Sequence, residues 1–189
     1  MNYSEDEILN LGFKAVGKNV KICKNVVFIN KNNISIGDNS RIDAFCLLSA
    51  GDDPITIGKN VHIAAGVYLF GGGGKITLDD FSNLSSKVII YTGVDDFVDG
   101  HMANATVFDE CRKVTSGPVS LGKHALVGAG SIILPNVTLS VGATTGAMTF
   151  VNADIGMCDV YVGAPMKFLK KRKDLFLQLE TKYYPTLRS

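Results

Sequence analysis

The chain repeats every six residues. From Val16 it reads VGKNVK, ICKNVV, then Phe28. From Ile36 it reads IGDNSR, IDAFCL, then Leu48. From Ile57 it reads IGKNVH, IAAGVY, then Leu69, and from Leu78 it reads LDDFSN, LSSKVI, then Ile90. After an interruption the period returns at Leu121 as LGKHAL, VGAGSI, ILPNVT and at Leu139 as LSVGAT, TGAMTF, then Val151. The first place is almost always Val, Ile or Leu, the second is often Gly, and the fifth is small or β-branched. A period of six matches neither the 3.6 of a helix nor the strict alternation of a sandwich strand. It matches a solenoid in which each hexad is one short strand and one turn. Three hexads close a triangular coil, and coils stack at the strand spacing of about 4.8 Å. The register predicts three buried columns: Val16, Ile36, Ile57, Leu78, Leu121, Leu139; then Ile22, Ile42, Ile63, Leu84, Val127, Thr145; then Phe28, Leu48, Leu69, Ile90, Ile133, Val151.

Composition agrees. Twenty glycines, no tryptophan and abundant Val and Ile favour many short strands with tight turns. At 46% hydrophobic and 20% charged residues the chain is globular rather than disordered. Nineteen basic against eighteen acidic residues give a net charge of +1, which supplies no field for gathering nucleic acid or coating a membrane. No apolar run approaches the roughly 20 residues of a membrane span. The opening MNYSEDEILN has no hydrophobic signal region, so a cytoplasmic protein is expected. Cys23, Cys46, Cys111 and Cys158 show no CxxC or CxH spacing and read as reduced thiols outside any zinc cluster.

The organisation expected is an N-terminal segment over 1–10, a β-helix over 11–163 and a helical tail over 164–189. Ser4, followed by acidic residues, predicts an N-cap and a short first helix. Residues 91–118 break the period as a long extruded loop, the kind of segment that usually carries function. Phe168, Leu169, Leu175, Phe176 and Leu179 form an approximate helical stripe, and a terminal helix would cap the open end of the solenoid.

With their Gly at place two, these hexads resemble those of the hexapeptide-repeat acyltransferases. GPVSLGKHALVGAGSIILPNVTL followed by VYVGAPMKFLKKR resembles the C-terminal half of the sugar acetyltransferases in that family. IYTGVDDFVDG resembles the loop entry of a subgroup linked to polysaccharide and deoxyamino-sugar modification. The resemblance covers about residues 11–172. It implies a left-handed parallel β-helix, a homotrimer, and acyl-CoA lying in the cleft between neighbouring β-helices. It also implies an acetyl or other acyl group passing from acyl-CoA, a co-substrate rather than a bound cofactor. The acceptor would be an amino or hydroxyl group of a sugar or nucleotide sugar used in surface polysaccharide biosynthesis.

Acyl transfer needs a deprotonated nucleophile, a donor to the tetrahedral oxyanion, a slot for the donor chain and charge for its phosphates. In the galactoside-type relatives the catalytic His lies five residues past the third-column residue; here that position is Asp95. Asp95 and Asp96 are therefore the expected acceptor carboxylates, Asp95 catalytic and Asp96 substrate-binding. Repulsion between them would raise one pKa. His62, on the coil below the loop, Ser85, after Leu84, and His101, in the loop, complete the expected catalytic set. His62, Ser85 and the Asp95–Asp96 pair are expected within about two strand spacings, roughly 10 Å, of one another, with His101 as a reserve base. His124 sits in a turn and reads as solvated. Ala129, Gly130, Gly146 and Ala147 leave a smooth groove whose backbone N–H groups can meet pantetheine, and Lys167 and Lys170 lead a run of cations suited to its phosphates. Two other classes fit the period: a non-catalytic β-helix, and a zinc enzyme of the γ-carbonic-anhydrase type, for which His62, His101 and His124 lack the local spacing.

Overall fold

The computed structural model describes residues 1–185. It is a left-handed parallel β-helix whose three walls are parallel sheets, two of six strands and one of eight. The three columns are in the register that the period gives. Val16 pairs Ile36, Ile36 pairs Ile57, and the row continues through Leu78 and Leu121 to Leu139. The second runs from Ile22 through Ile42, Ile63 and Leu84 to Val127, and the third from Phe28 through Leu48, Leu69, Ile90 and Ile133 to Val151. Most of these side chains have no exposed surface and form one continuous core.

The turns explain the rest of the grammar. Place four adopts a left-handed backbone, as at Asn19, Asn39 and Asn60, a conformation Asn and Gly tolerate best. Place two holds glycine because the next coil is too close for a side chain: a Cβ at Gly37 would lie 2.6 Å from the Gly58 carbonyl. Two buried place-five serines hydrogen-bond across coils. Ser40 donates to the Gly58 carbonyl at 2.8 Å and accepts from the Val61 N–H at 3.0 Å, and Ser131 donates to the Gly146 carbonyl at 3.1 Å. The Ser82 hydroxyl, by contrast, has no partner among the described residues.

The outward rows differ between walls. On the first they are Ser35, Thr56, Thr77, Ser120 and Thr138. On the third they are Val27, Leu47, Tyr68, Ile89, Ile132 and Phe150, flanked by a shorter row of Ile29, Ser49, Phe70 and Tyr91. Val27 is 56% exposed and Tyr68 39%.

The first helix, α1 (Glu5–Leu9), has the expected Ser4 cap, closed as a capping box with Glu7, and it buries Ile8. The tail departs from the expected helix. Lys167–Lys171 is a strand, antiparallel to Asp159–Val162, and it extends the second wall at its far edge. Helix α2 (Leu175–Tyr183) starts only after it. Residues 186–189 of the expected tail lie outside the described residues. Nor does α2 cap the open end. It lies along the corner between walls one and two, with Phe176 against His124 and Tyr184 against Phe81. That placement makes His124 a docking residue rather than a solvated turn. Its side chain is 10% exposed, stacks on Phe81 at 4.9 Å and bonds Glu180 at 2.7 Å. Burial opposes the charge of Glu180, but hydrogen bonds from Lys123 and His124 outweigh it and hold the carboxyl below its usual range.

All four cysteines are free. Among the described residues no helix is long and apolar enough to cross a membrane, and no cluster of ligating side chains could hold a metal.

Candidate active site

The expected site residues fall into two groups, at the two ends of the third wall. One group lies at the corner between walls two and three. Ser85 opens the turn there, stacked between Ala64 and Gly128 by the bonds Ala64 N–H to the Leu84 carbonyl and Ser85 N–H to the Val127 carbonyl, each 2.9 Å. Above it the corner is built from Gly128, Ala129 and Gly130 and then Gly146, Ala147 and Met148, small residues except for the exposed Met148, whose sulfur lies over Gly130. The Gly130 N–H is spent on the Ser86 carbonyl at 3.0 Å, so that donor is closed. The N–H groups of the exposed Ala129 and Ala147 bond no acceptor among the described residues. Phe45, Lys87 and Met148 take the left-handed backbone at this same corner, where an Asn or Gly would be easier. Phe81 and His124 do the same at the corner where α2 docks.

His62 reaches this corner indirectly. Its Nε2 bonds Asp43 Oδ2 at 2.9 Å, and Asp43 also accepts from Arg41 Nε at 2.6 Å. Burial opposes the Asp43 charge, but the bonds from His62 and Arg41 hold its pKa below the usual range. Lys167 and Lys170 are exposed on the edge strand of wall two and make no ion pair among the described residues. Lys171 and Arg172 are committed to the fold, the first to Asp159 at 2.7 Å and the second to the His124 carbonyl at 2.8 Å.

The other group lies at the corner between walls three and one, where residues 92–118 leave the coil. The loop begins and ends as an antiparallel hairpin of Gly93–Asp95 with Val114–Ser116. It can leave there because the coil is bare at its exit: a Cβ at Gly73 would lie 2.3 Å from the Thr92 carbonyl. No residue from 93 to 118 is buried, so ion pairs do what burial does in the coils. Asp95 pairs with Arg112, Asp99 with Lys113 at 2.7 Å, and Asp96 with His101 at 2.9 Å. A concavity of about 400 Å³ opens at the root, lined by Ser49, Phe70, Gly72, Gly73, Asp95 and Arg112 among others.

This arrangement corrects three expectations. Asp95 and Asp96 are not a mutually repelling pair, because each has its own partners. The backbone N–H of Val98 foremost, helped by His101, the Asp99 N–H and Lys113, lowers the pKa of Asp96. Both of its oxygens are occupied by those bonds, so Asp96 ties the loop rather than facing a substrate. Finally, His62, Ser85 and Asp95 do not form one cluster within a chain. Sharing a level in the solenoid is not sharing a corner, and no hydrogen bond or ion pair joins any two of them among the described residues. Arg112 was not singled out from the sequence. A lone arginine in an aperiodic loop gives no spacing signal, and only the hairpin shows its partner.

The hexapeptide repeat of succinyl-transferase matches residues 33–70. A dTDP-4-amino-4,6-dideoxy-D-glucose acyltransferase of Escherichia coli is 41% identical over 182 residues, covering 96% of this chain and 94% of that protein. The chain belongs to the hexapeptide-repeat acyltransferases. It is an acyltransferase, with acyl-CoA as co-substrate. AntD, an N-acyltransferase from Bacillus cereus solved with dTDP and 3-hydroxybutyryl-CoA, is 40% identical, with a TM-score of 0.93 over 100% of this chain and 98% of its own. A maltose O-acetyltransferase from Clostridium difficile, 24% identical over 89% of this chain and 75% of its own with a TM-score of 0.59, shares the fold.

Proposed function

We propose that this enzyme acylates the amino group of a deoxyamino sugar carried on a nucleoside diphosphate, within a homotrimer whose sites each combine Ser85 of one copy with Asp95 of the next. The observation that carries this reading is the apolar third wall with one half of the site at each end. If three copies turn that wall toward a common axis, the corner holding Ser85 meets the neighbour's corner holding Asp95. Both residues leave the same coil, so they meet at the same height. Covering the wall also removes an apolar surface that a monomer would leave in water.

The relatives support the acceptor class. AntD has been solved with dTDP-4-amino-4,6-dideoxyglucose and coenzyme A together. Its solved variants change one serine to Thr, Cys or Ala and one aspartate, ten positions later, to Asn or Ala. Ser85 and Asp95 are likewise ten positions apart.

In this reading the pantetheine arm lies along the groove of Ala129, Gly130 and Ala147, bonded by the open N–H groups of Ala129 and Ala147. Lys167 and Lys170 meet its phosphates. The sugar amine sits in the concavity with an N–H directed at Asp95, and its lone pair attacks the thioester carbon. Ser85 Oγ–H donates to the carbonyl oxygen as it gains charge. In the tetrahedral intermediate the nitrogen is cationic and strongly acidic, so even a weak carboxylate base can take its proton. The C–S bond then breaks, CoA leaves as thiolate, and the proton passes from Asp95 to the thiolate or to water. We place the enzyme in the cytoplasm, a compartment that keeps four free thiols reduced.

The test is to incubate the protein with dTDP-4-amino-4,6-dideoxyglucose and either acetyl-CoA or 3-hydroxybutyryl-CoA and to weigh the sugar product by mass spectrometry. An N-acylated nucleotide sugar is expected, and the two donors compared give the acyl chain. Acylation of a sugar hydroxyl with the amino sugar untouched would overturn the reading.

A further inference from the structure

We infer that Arg112 is the positioning residue of Asp95: it fixes one carboxylate oxygen and leaves the other turned to the concavity at the hairpin root. This rests on the role given to Asp95 above.

Both guanidinium bonds end on the same atom. Nε reaches Asp95 Oδ1 at 3.1 Å and Nη2 reaches it at 2.7 Å. A paired fork would spend both carboxylate oxygens, one on each N–H. Here Oδ2 accepts from no group among the described residues, while Asp95 and Arg112 both line the concavity. The carboxylate is thus held at one end and open at the other, as a group that receives an acceptor N–H must be. The arginine is also unlike a surface lock. Its side chain is 18% exposed, whereas the Lys113–Asp99 pair, which ties the same hairpin, is 53% and 58% exposed. The second carboxylate near Arg112, Asp109, stands 3.9 Å from Nη1 and is 98% exposed, so it competes weakly. Lysine could supply the charge but not two N–H groups converging on one oxygen.

Arg112→Ala and Arg112→Lys should each lower kcat by ~10–100-fold, the effect of losing a hydrogen bond to a charged group, with the KM for acyl-CoA unchanged. Lysine should lose less than alanine. Guanidinium chloride below denaturing concentration should restore part of kcat to Arg112→Ala, and sodium chloride should not. Lys113→Gln, which opens the exposed pair of the same hairpin, should keep the wild-type kcat. If Arg112→Lys retains full kcat, or if Arg112→Ala loses activity only in step with Tm and without guanidinium rescue, Arg112 merely ties the hairpin and the inference fails. Asp95→Asn, assayed alongside, separates the two layers. An active Asp95→Asn would overturn the reading of Asp95 itself, whereas an inactive one with fully active Arg112 variants would overturn only the positioning role.

Discussion

The first and third walls are built from the same hexads and bury the same kind of column, yet they present opposite surfaces. The first shows Ser35, Thr56, Thr77, Ser120 and Thr138; the third shows Val27, Leu47, Tyr68, Ile89, Ile132 and Phe150. The repeat constrains what points inward, because each buried side chain must fill the space under its neighbour. It leaves the outward places free. An apolar outer row was therefore not required by the coil, and in the trimer proposed above it is the surface that the neighbouring copies cover.

The largest expected effect comes from breaking that difference. Tyr68→Lys combined with Ile89→Lys should dissociate the trimer and cut turnover by more than ~10²-fold, the loss expected when a catalytic group is removed from the site. Thr56→Lys on the first wall should change neither sedimentation nor rate. A monomeric wild type in the ultracentrifuge would end the shared-site model.

Complementation sharpens the same comparison. Ser85→Ala and Asp95→Asn alone should each lose ~10²–10⁴-fold. Co-expressed in equal amounts, they should recover about one quarter of the wild-type rate, because a random cyclic trimer places an intact Ser85 beside an intact Asp95 at that fraction of its interfaces. A site contained within one chain would recover nothing.

A smaller effect concerns the glycine run at the end of the third wall. Gly72 lines the concavity and a Cβ there meets nothing within 4 Å, while one at Gly73 collides with the Thr92 carbonyl. Gly72→Leu should raise the acceptor KM by ~10-fold, about 1.4 kcal/mol, at unchanged Tm. Gly73→Leu should instead lower stability, by roughly the 1–3 kcal/mol of an overpacked site. Thermal melts and acceptor titrations distinguish the two.

The smallest lies at the corner of walls one and two. Because Glu180 has a lowered pKa in the folded state, its contribution to docking α2 is complete above the unfolded value of about 4.3 and is lost as pH falls through the folded value below it. Protection factors of the α2 amides, referred to intrinsic exchange at each pH, should therefore fall below about pH 4.3, and Glu180→Gln should remove that dependence. An acid response that survives in Glu180→Gln would assign it to another carboxylate.

From the sequence alone the fold was legible nearly to the residue. Each column residue meets the partner that the period assigns, because in a solenoid neighbours in space lie one coil apart along the chain. Ser85, Asp95 and the small residues Ala129, Gly130 and Ala147 were readable only as candidates, because the period places a residue on a corner without saying what meets it there. The tail was misread because Phe168 and Leu169 serve a strand that completes the second wall, and a short apolar run does not distinguish strand from helix. His124 looked solvated because α2, 56 residues further on, has no fixed place until it docks.

What the sequence determined is everything that repeats: the walls, the columns, the turn conformations and the point where the loop leaves. What only the tertiary structure decided is how the non-repeating parts meet, namely Arg112 on Asp95, Glu180 on His124, and Ser85 and Asp95 at opposite ends of one wall. A periodic pattern carries its own ruler, since equal steps along the chain become equal steps in space. An ion pair between aperiodic segments has none, and its partners are fixed only when the chain has closed around them.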